Sequence, residues 1–117
     1  MYEFFGKVIE GDGKGRQIGF PTANMDNISH RINHGVYLVE VIADRKTCKG
    51  LLHFGPKKTF NNKITAEIHI DRFDADIYGK KLKIKIIKKI RNIKKFKSVN
   101  DLIGQINKDL LCLRGEE

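Results

Sequence analysis

"ITAEIHI", residues 64–70, alternates Ile64, Ala66, Ile68 and Ile70 with Thr65, Glu67 and His69. A period of two sets the apolar side chains on one face of a β-strand and the polar ones on the other. The neighbouring segments read the same way. Val36 to Ile42 is rich in β-branched and aromatic residues and follows Gly35, and Cys48 to Phe54 is predicted to pair with it through a turn at Asp44 to Lys46. Past a turn at Gly79, Leu82, Ile84 and Ile86 alternate with Lys83 and Lys85 as a half-buried strand. After Ser98 the period changes, and Val99, Leu102, Ile103, Ile106 and Leu110 follow helical spacing. Ser98 is the predicted N-cap, with Asp101 three residues on in a variant of the capping box. Short strands followed by one terminal helix predict an all-β core, an antiparallel barrel or sandwich, because no helix is available to cross between parallel strands.

Composition sets the outer bounds. The chain has 117 residues and no repeat or low-complexity linker, so a single domain over residues 1–117 is expected. A chain of this size buries roughly two-thirds of its unfolded surface, enough for one real core. No apolar run approaches the ~18 residues of a membrane span, and the amino terminus lacks the pattern of a secretory signal, so the expected location is cytoplasmic. Cys48 and Cys112 are far apart and have no closely spaced partner, which suggests neither a zinc site nor a disulfide framework. A net charge of +9 favours a polyanionic ligand: nucleic acid, a membrane surface or a nucleotide triphosphate.

Three stretches can carry chemistry. "GDGKGRQIGFPTAN", residues 11–24, combines four glycines, which allow close backbone approach to a ligand, with Lys14 and Arg16, whose cations suit phosphate oxygens. It matches neither a Walker A loop nor a dinucleotide fingerprint. Pro21 biases Phe20 toward extended geometry, which puts Thr22 and Asn24 on one face of an extended segment. Their hydroxyl and amide oxygens are hard donors suited to magnesium, which keeps several waters and takes phosphate oxygens as further ligands. A turn in which both simply bond the backbone is the other reading.

Glu67 is the second candidate. It shares the polar face of its strand with His69, and a carboxylate at the mouth of a barrel can take a proton from a substrate hydroxyl; an exposed strand carboxylate is the simpler alternative. The third stretch is Lys80 to Lys97, where ten of eighteen residues are Lys or Arg. Lys83 and Lys85 fall opposite the apolar side chains, as on a solvated outer face that protects a sheet edge. Nucleic-acid binding gains from aromatics among the charges, and this run contains only Phe96, so nucleic acid is not an expected partner.

Taken together, the chain resembles the riboflavin kinase family, including the kinase module of bacterial bifunctional FAD synthetases. The likeness runs from Gly6 to about Arg114 and rests on "GDGKGRQIGFPTAN", "HGVYLVEV", "GLLHFG" with Thr59 and Phe60, "EIHI", "DADIYG", "IRNIKKF" and "LIGQINKD". The resemblance implies a six-stranded antiparallel Greek-key barrel with a C-terminal α-helix, and transfer of the ATP γ-phosphate to the ribityl 5′-hydroxyl of riboflavin, giving FMN. It implies that Thr22 and Asn24 hold Mg2+ or another divalent cation with the nucleotide phosphates. Glu67 is implied as the base. Gly13, Lys14, Gly15 and Arg16 are implied to contact the nucleotide, and Arg91 and Phe96 to lie on the flavin side.

The chain departs from the family pattern at Lys58, where a proline is usual, at Arg72, and at Ile93, where a Glu is expected. These departures motivate a second reading, a kinase-derived flavin or nucleotide binding module with lost or altered turnover. A basic nucleic-acid-binding barrel is a third, motivated by the charge. Because Met1 lies only five residues before Gly6, no adenylyltransferase module is expected and the product is FMN rather than FAD. The expected partners are the small molecules riboflavin and ATP, acting on a monomer.

Overall fold

A computed structural model describes residues 3–9, 23–26, 32–57, 63–71 and 79–115. The strands are β1 (Glu3–Ile9), β2 (Ala23–Met25), β3 (Gly35–Ala43), β4 (Lys46–Lys57), β5 (Lys63–Ile70) and β6 (Lys81–Arg91), followed by a helix, α1 (Val99–Arg114). They close into a barrel in the order β1-β2-β5-β4-β3-β6, with every neighbouring pair antiparallel. β3, β4 and β5 form a meander, and β2 lies beside β5, which gives the Greek-key arrangement.

The period-two pattern produces the core. Phe4 and Val8 of β1, Met25 of β2, Tyr37, Val39 and Val41 of β3, Leu52 and Phe54 of β4, Ala66, Ile68 and Ile70 of β5, and Leu82, Ile84 and Ile86 of β6 fill the barrel. Gly6 also lies on the inward side of β1. A Cβ there would stand 2.4 Å from the Met25 Cε, so the methionine occupies the space the glycine leaves.

A second apolar cluster forms outside the barrel. Leu110 and Leu113 of α1 pack with Leu51, with Leu38, Ile90 and Ile106 against them. The helix begins as its sequence predicts: the Asp101 backbone N–H donates to Ser98 Oγ at 3.1 Å. It ends on Gly115 in the left-handed conformation, φ 72°, whose N–H reaches the last carbonyls.

Two ion pairs fasten the helix. Arg91 Nη2 stands 2.9 Å from Asp109 Oδ2, and Arg91 Nε reaches both carboxylate oxygens at 3.1 Å. Arg114 Nη2 stands 2.8 Å from Asp71 Oδ1, just past β5.

The sharp features sit in β3 and β6. Asp44 and Arg45 adopt positive φ, 47° and 70°, as a two-residue hairpin turn requires. β6 carries two bulged residues against β3: Ile87 falls between the partners of Val39 and Leu38, and Ile90 between those of Tyr37 and Val36. Each bulge offsets the alternation by one, so after both Arg91 emerges on the outer face, toward α1. β6 pairs with β1 on one side and β3 on the other, so its lysines guard no sheet edge, contrary to the expectation from the sequence.

Candidate active site

The strand register builds a belt on the outer wall. Asn24 of β2 is paired with Glu67 of β5, Glu67 with His53 of β4, His53 with Val36 of β3, and Val36 with Arg91 of β6. Directly opposed residues on antiparallel strands project from the same face, with Cβ atoms about 4.5–5.5 Å apart. Ala23 and Met25 on either side of Asn24, and Ala66 and Ile68 on either side of Glu67, face the core, which fixes Asn24 and Glu67 outward. Yet Asn24 is only 7% exposed and Glu67 9%. A buried carboxylate beside a buried amide is not the solvated strand surface that the polar face of "ITAEIHI" suggests by pattern alone.

The belt continues along β5. Thr65 lies on the same face as Glu67, opposite Gly55 of β4. Among the described residues its buried Oγ1 meets no hydrogen-bond partner. Gly55 has φ 152°, and a Cβ there would come within 2.1 Å of Ile93 Cδ1, so the segment after β6 packs directly on the β4 backbone. His34 meets Phe54 edge to face, with ring centroids 5.4 Å apart. Ile93, one of the departures from the family pattern, thus has a packing role in this corner.

Of the residues singled out from the sequence, Asn24 and Glu67 come together across one pair of strands. Arg91 lies three strands further along the belt, with its guanidinium on Asp109 and its Nη1 donating to the Asn92 carbonyl at 3.1 Å. Phe96 is half-buried beyond β6. Gly13, Lys14, Gly15, Arg16 and Thr22 lie outside the described residues, as do Lys58 and Arg72. His53 of "GLLHFG" joins the belt beside Glu67, although the sequence assigns it no role. Sequence reasoning missed Asp109 as the partner of Arg91, since the two join only when α1 folds back on the barrel.

Among the described residues, no group of three or more His, Cys, Asp or Glu side chains is placed to hold a metal. On this wall the Asn24 amide supplies a neutral oxygen beside the Glu67 carboxylate. No helix of the described residues is long and apolar enough to cross a membrane.

Comparison with known proteins agrees with the architecture. The family model described as flavokinase, riboflavin kinase, matches residues 1–114. The bifunctional riboflavin kinase/FMN adenylyltransferase of Haemophilus influenzae is 39% identical over 113 residues, which cover 93% of this chain and 36% of that protein. The crystal structure of the macrolide-efflux protein from Streptococcus pneumoniae matches with a TM-score of 0.85 at 32% identity, over 96% of this chain and 38% of that one. That of riboflavin kinase from Trypanosoma brucei matches with a TM-score of 0.69 at 25% identity, over 97% of this chain and 74% of that one. The chain spans less than half the length of the first curated relatives it matches, from 16% to 48%. With the six-stranded barrel, the terminal helix and a family match over nearly all of its residues, this chain belongs to the riboflavin kinase family.

Proposed function

We propose that the chain is an ATP-dependent riboflavin kinase that transfers the γ-phosphate of ATP to the ribityl 5′-hydroxyl of riboflavin, giving FMN and ADP. The observation that carries this reading is the direct opposition of Asn24 and Glu67, both buried on the outer wall. Glu67 takes the proton of the attacking hydroxyl as its oxygen bonds to the γ-phosphorus, and the bond from that phosphorus to the β–γ bridging oxygen breaks, releasing ADP. Asn24 offers a neutral amide oxygen, which fits a hard divalent cation without cancelling its charge. Mg2+ held by Thr22 and Asn24 with the nucleotide phosphates would supply neutralisation of the phosphate charge.

The remaining assignments follow the same reading. Gly13, Lys14, Gly15 and Arg16 cover the nucleotide, and Arg91 and Phe96 flank the flavin. The Thr65 hydroxyl, without a hydrogen-bond partner among the described residues, supports a ligand on this wall, because buried polar groups are rarely left unsatisfied. Residues 1–117 act as one kinase domain and as a monomer, a reading supported by a barrel whose strands are all paired. The proposed location is the cytoplasm, where ATP is at hand.

The test is chromatographic. Pure protein with ATP, Mg2+ and riboflavin is expected to yield FMN and ADP in equal amounts. Riboflavin binding without FMN, in conditions where a control kinase turns over, would overturn the kinase in favour of a binding module. Thermal stabilisation by riboflavin with ADP and Mg2+, exceeding that by each alone, reports independently on an intact site.

A further inference from the structure

The lysines of β6 need an explanation other than edge protection, because β6 is paired on both sides. Lys81, Lys83 and Lys85 recur on its outer face, spaced about 6.8 Å apart as alternate strand residues are. Across the β1–β6 pair they meet Lys7, Phe5 and Glu3 in turn. Opposing lysines such as Lys7 and Lys81 cost a sheet stability. Glu3 pairs with Lys83 at 3.2 Å, and Asp44 with Lys80, but Lys7, Lys81 and Lys85 have no ion pair among the described residues. On the β3 side, Glu40 stands opposite Lys85 and Ile42 opposite Lys83.

At the centre of this basic face lies an aromatic ring. Phe5 is 54% exposed, and the Nζ atoms of Lys81 and Lys83 stand 4.9 and 5.9 Å from its centroid. The aromatic that the lysine run lacks in sequence is supplied by folding, from the other end of the chain. An exposed ring among lysines spaced along an extended strand matches two demands of a single-stranded nucleic acid, stacking for a base and cations for successive phosphates. In the barrel order, β1 and β6 lie opposite β4 and β5, so this face is turned away from Glu67 and His53.

We propose that the outer face of β1 and β6, centred on Phe5 with Lys7, Lys81, Lys83 and Lys85, binds single-stranded nucleic acid by stacking a base on Phe5 and pairing the lysines with phosphates. Acidic proteins match the charge but make no particular use of the ring, and a duplex keeps its bases out of reach. The proposal does not depend on the kinase reading.

The test is fluorescence anisotropy with a labelled twelve-nucleotide oligo-dT at several salt concentrations. The logarithm of affinity is expected to fall linearly with log salt, with a slope of about −2 to −3 if three or four phosphates are engaged. Phe5→Ala is expected to weaken binding about tenfold, in the range of base–aromatic stacking, without changing the slope. Lys81→Gln with Lys83→Gln is expected to flatten the slope. Phe5→Leu, which keeps an apolar side chain on the strand, guards against misfolding and is expected to weaken binding as Phe5→Ala does. FMN formation is expected to be unchanged in the Phe5 variants. Equal affinity for heparin or for a duplex of the same length would overturn the proposal, as would binding indifferent to both Phe5 variants. Adsorption to anionic phospholipid vesicles that depends on Phe5, with no oligonucleotide binding, would assign the face to a membrane and likewise overturn it.

Discussion

Glu67 shows how much position adds to residue type. As a proposed base it contributes the ~10²- to 10⁴-fold that positioned proton transfer supplies, so Glu67→Gln is expected to lower kcat by that factor, about 3 to 5 kcal/mol of barrier. The amide keeps the size and the cross-strand neighbours, so thermal unfolding should stay near the parent's. Turnover close to normal in the folded variant would remove Glu67 from the role. Gly55 is the other residue whose environment dictates its identity. With φ 152° and Ile93 Cδ1 2.1 Å from where a Cβ would stand, Gly55→Ala meets both backbone strain and overlap. A loss of about 1–3 kcal/mol is expected from denaturant unfolding. Ile93→Ala in the same chain relieves the overlap but not the strain, so the double variant should lose less than the sum of the two single ones.

At the scale of elements, α1 is held by its apolar cluster and by two ion pairs, of which the Arg91–Asp109 pair is the more buried. Its carboxylate anchor Asp109 is 5% exposed as a residue, holds Arg91 by three contacts, and also accepts from Gln105 Nε2 at 2.9 Å. Removing one partner of such a pair strands the other charge, so Asp109→Ala is expected to cost about 3 kcal/mol or more, measured by urea unfolding, with α1 loosening first in hydrogen exchange.

Legibility from the sequence also divides by element. β5, β6 and α1 follow from periodicity, β3 from its β-branched and aromatic residues, and β4 from the turn that pairs it with β3. β1 is hidden in the sequence: Gly6 replaces an apolar side chain at an inward position and breaks the alternation of Phe4 and Val8, and only the fold shows that Met25 fills the gap. At the candidate site, Glu67 was legible as a residue on a polar strand face. Its burial and its opposition to Asn24 and His53 were not, because they depend on a register between segments distant in the chain. Likewise the edge-protecting reading of the lysines failed because closure of a barrel is a property of the whole sheet.

At the scale of the molecule, the barrel interior sets a pH limit. Tyr37 lies in the core with its hydroxyl donating to the Asn33 carbonyl at 2.6 Å, and burial raises its pKa above the ordinary value of about 10. A folded-state pKa above the unfolded one means that the neutral phenol stabilises the fold fully below about pH 10, and that this contribution is lost as pH rises through the folded value. Unfolding temperature is therefore expected to drop above pH 10, and Tyr37→Phe should show a shallower drop than the parent. Equal slopes in the two proteins would refute the assignment.

The seam between β1 and β6 has a further consequence, for the order in which the protein forms. Glu3 pairs with Lys85 and Lys7 with Lys81, so the first strand waits for the last. The β3–β4–β5 meander needs only nearby residues and can assemble while the rest of the chain is still emerging from the ribosome. Until β6 arrives, that sheet is open: β2, made earlier, can cover the edge of β5, but the edge of β3 stays bare. Closure of the ring is thus a late, long-range event, and the nascent chain is most exposed to misassociation in the interval between the completion of β5 and the docking of β6.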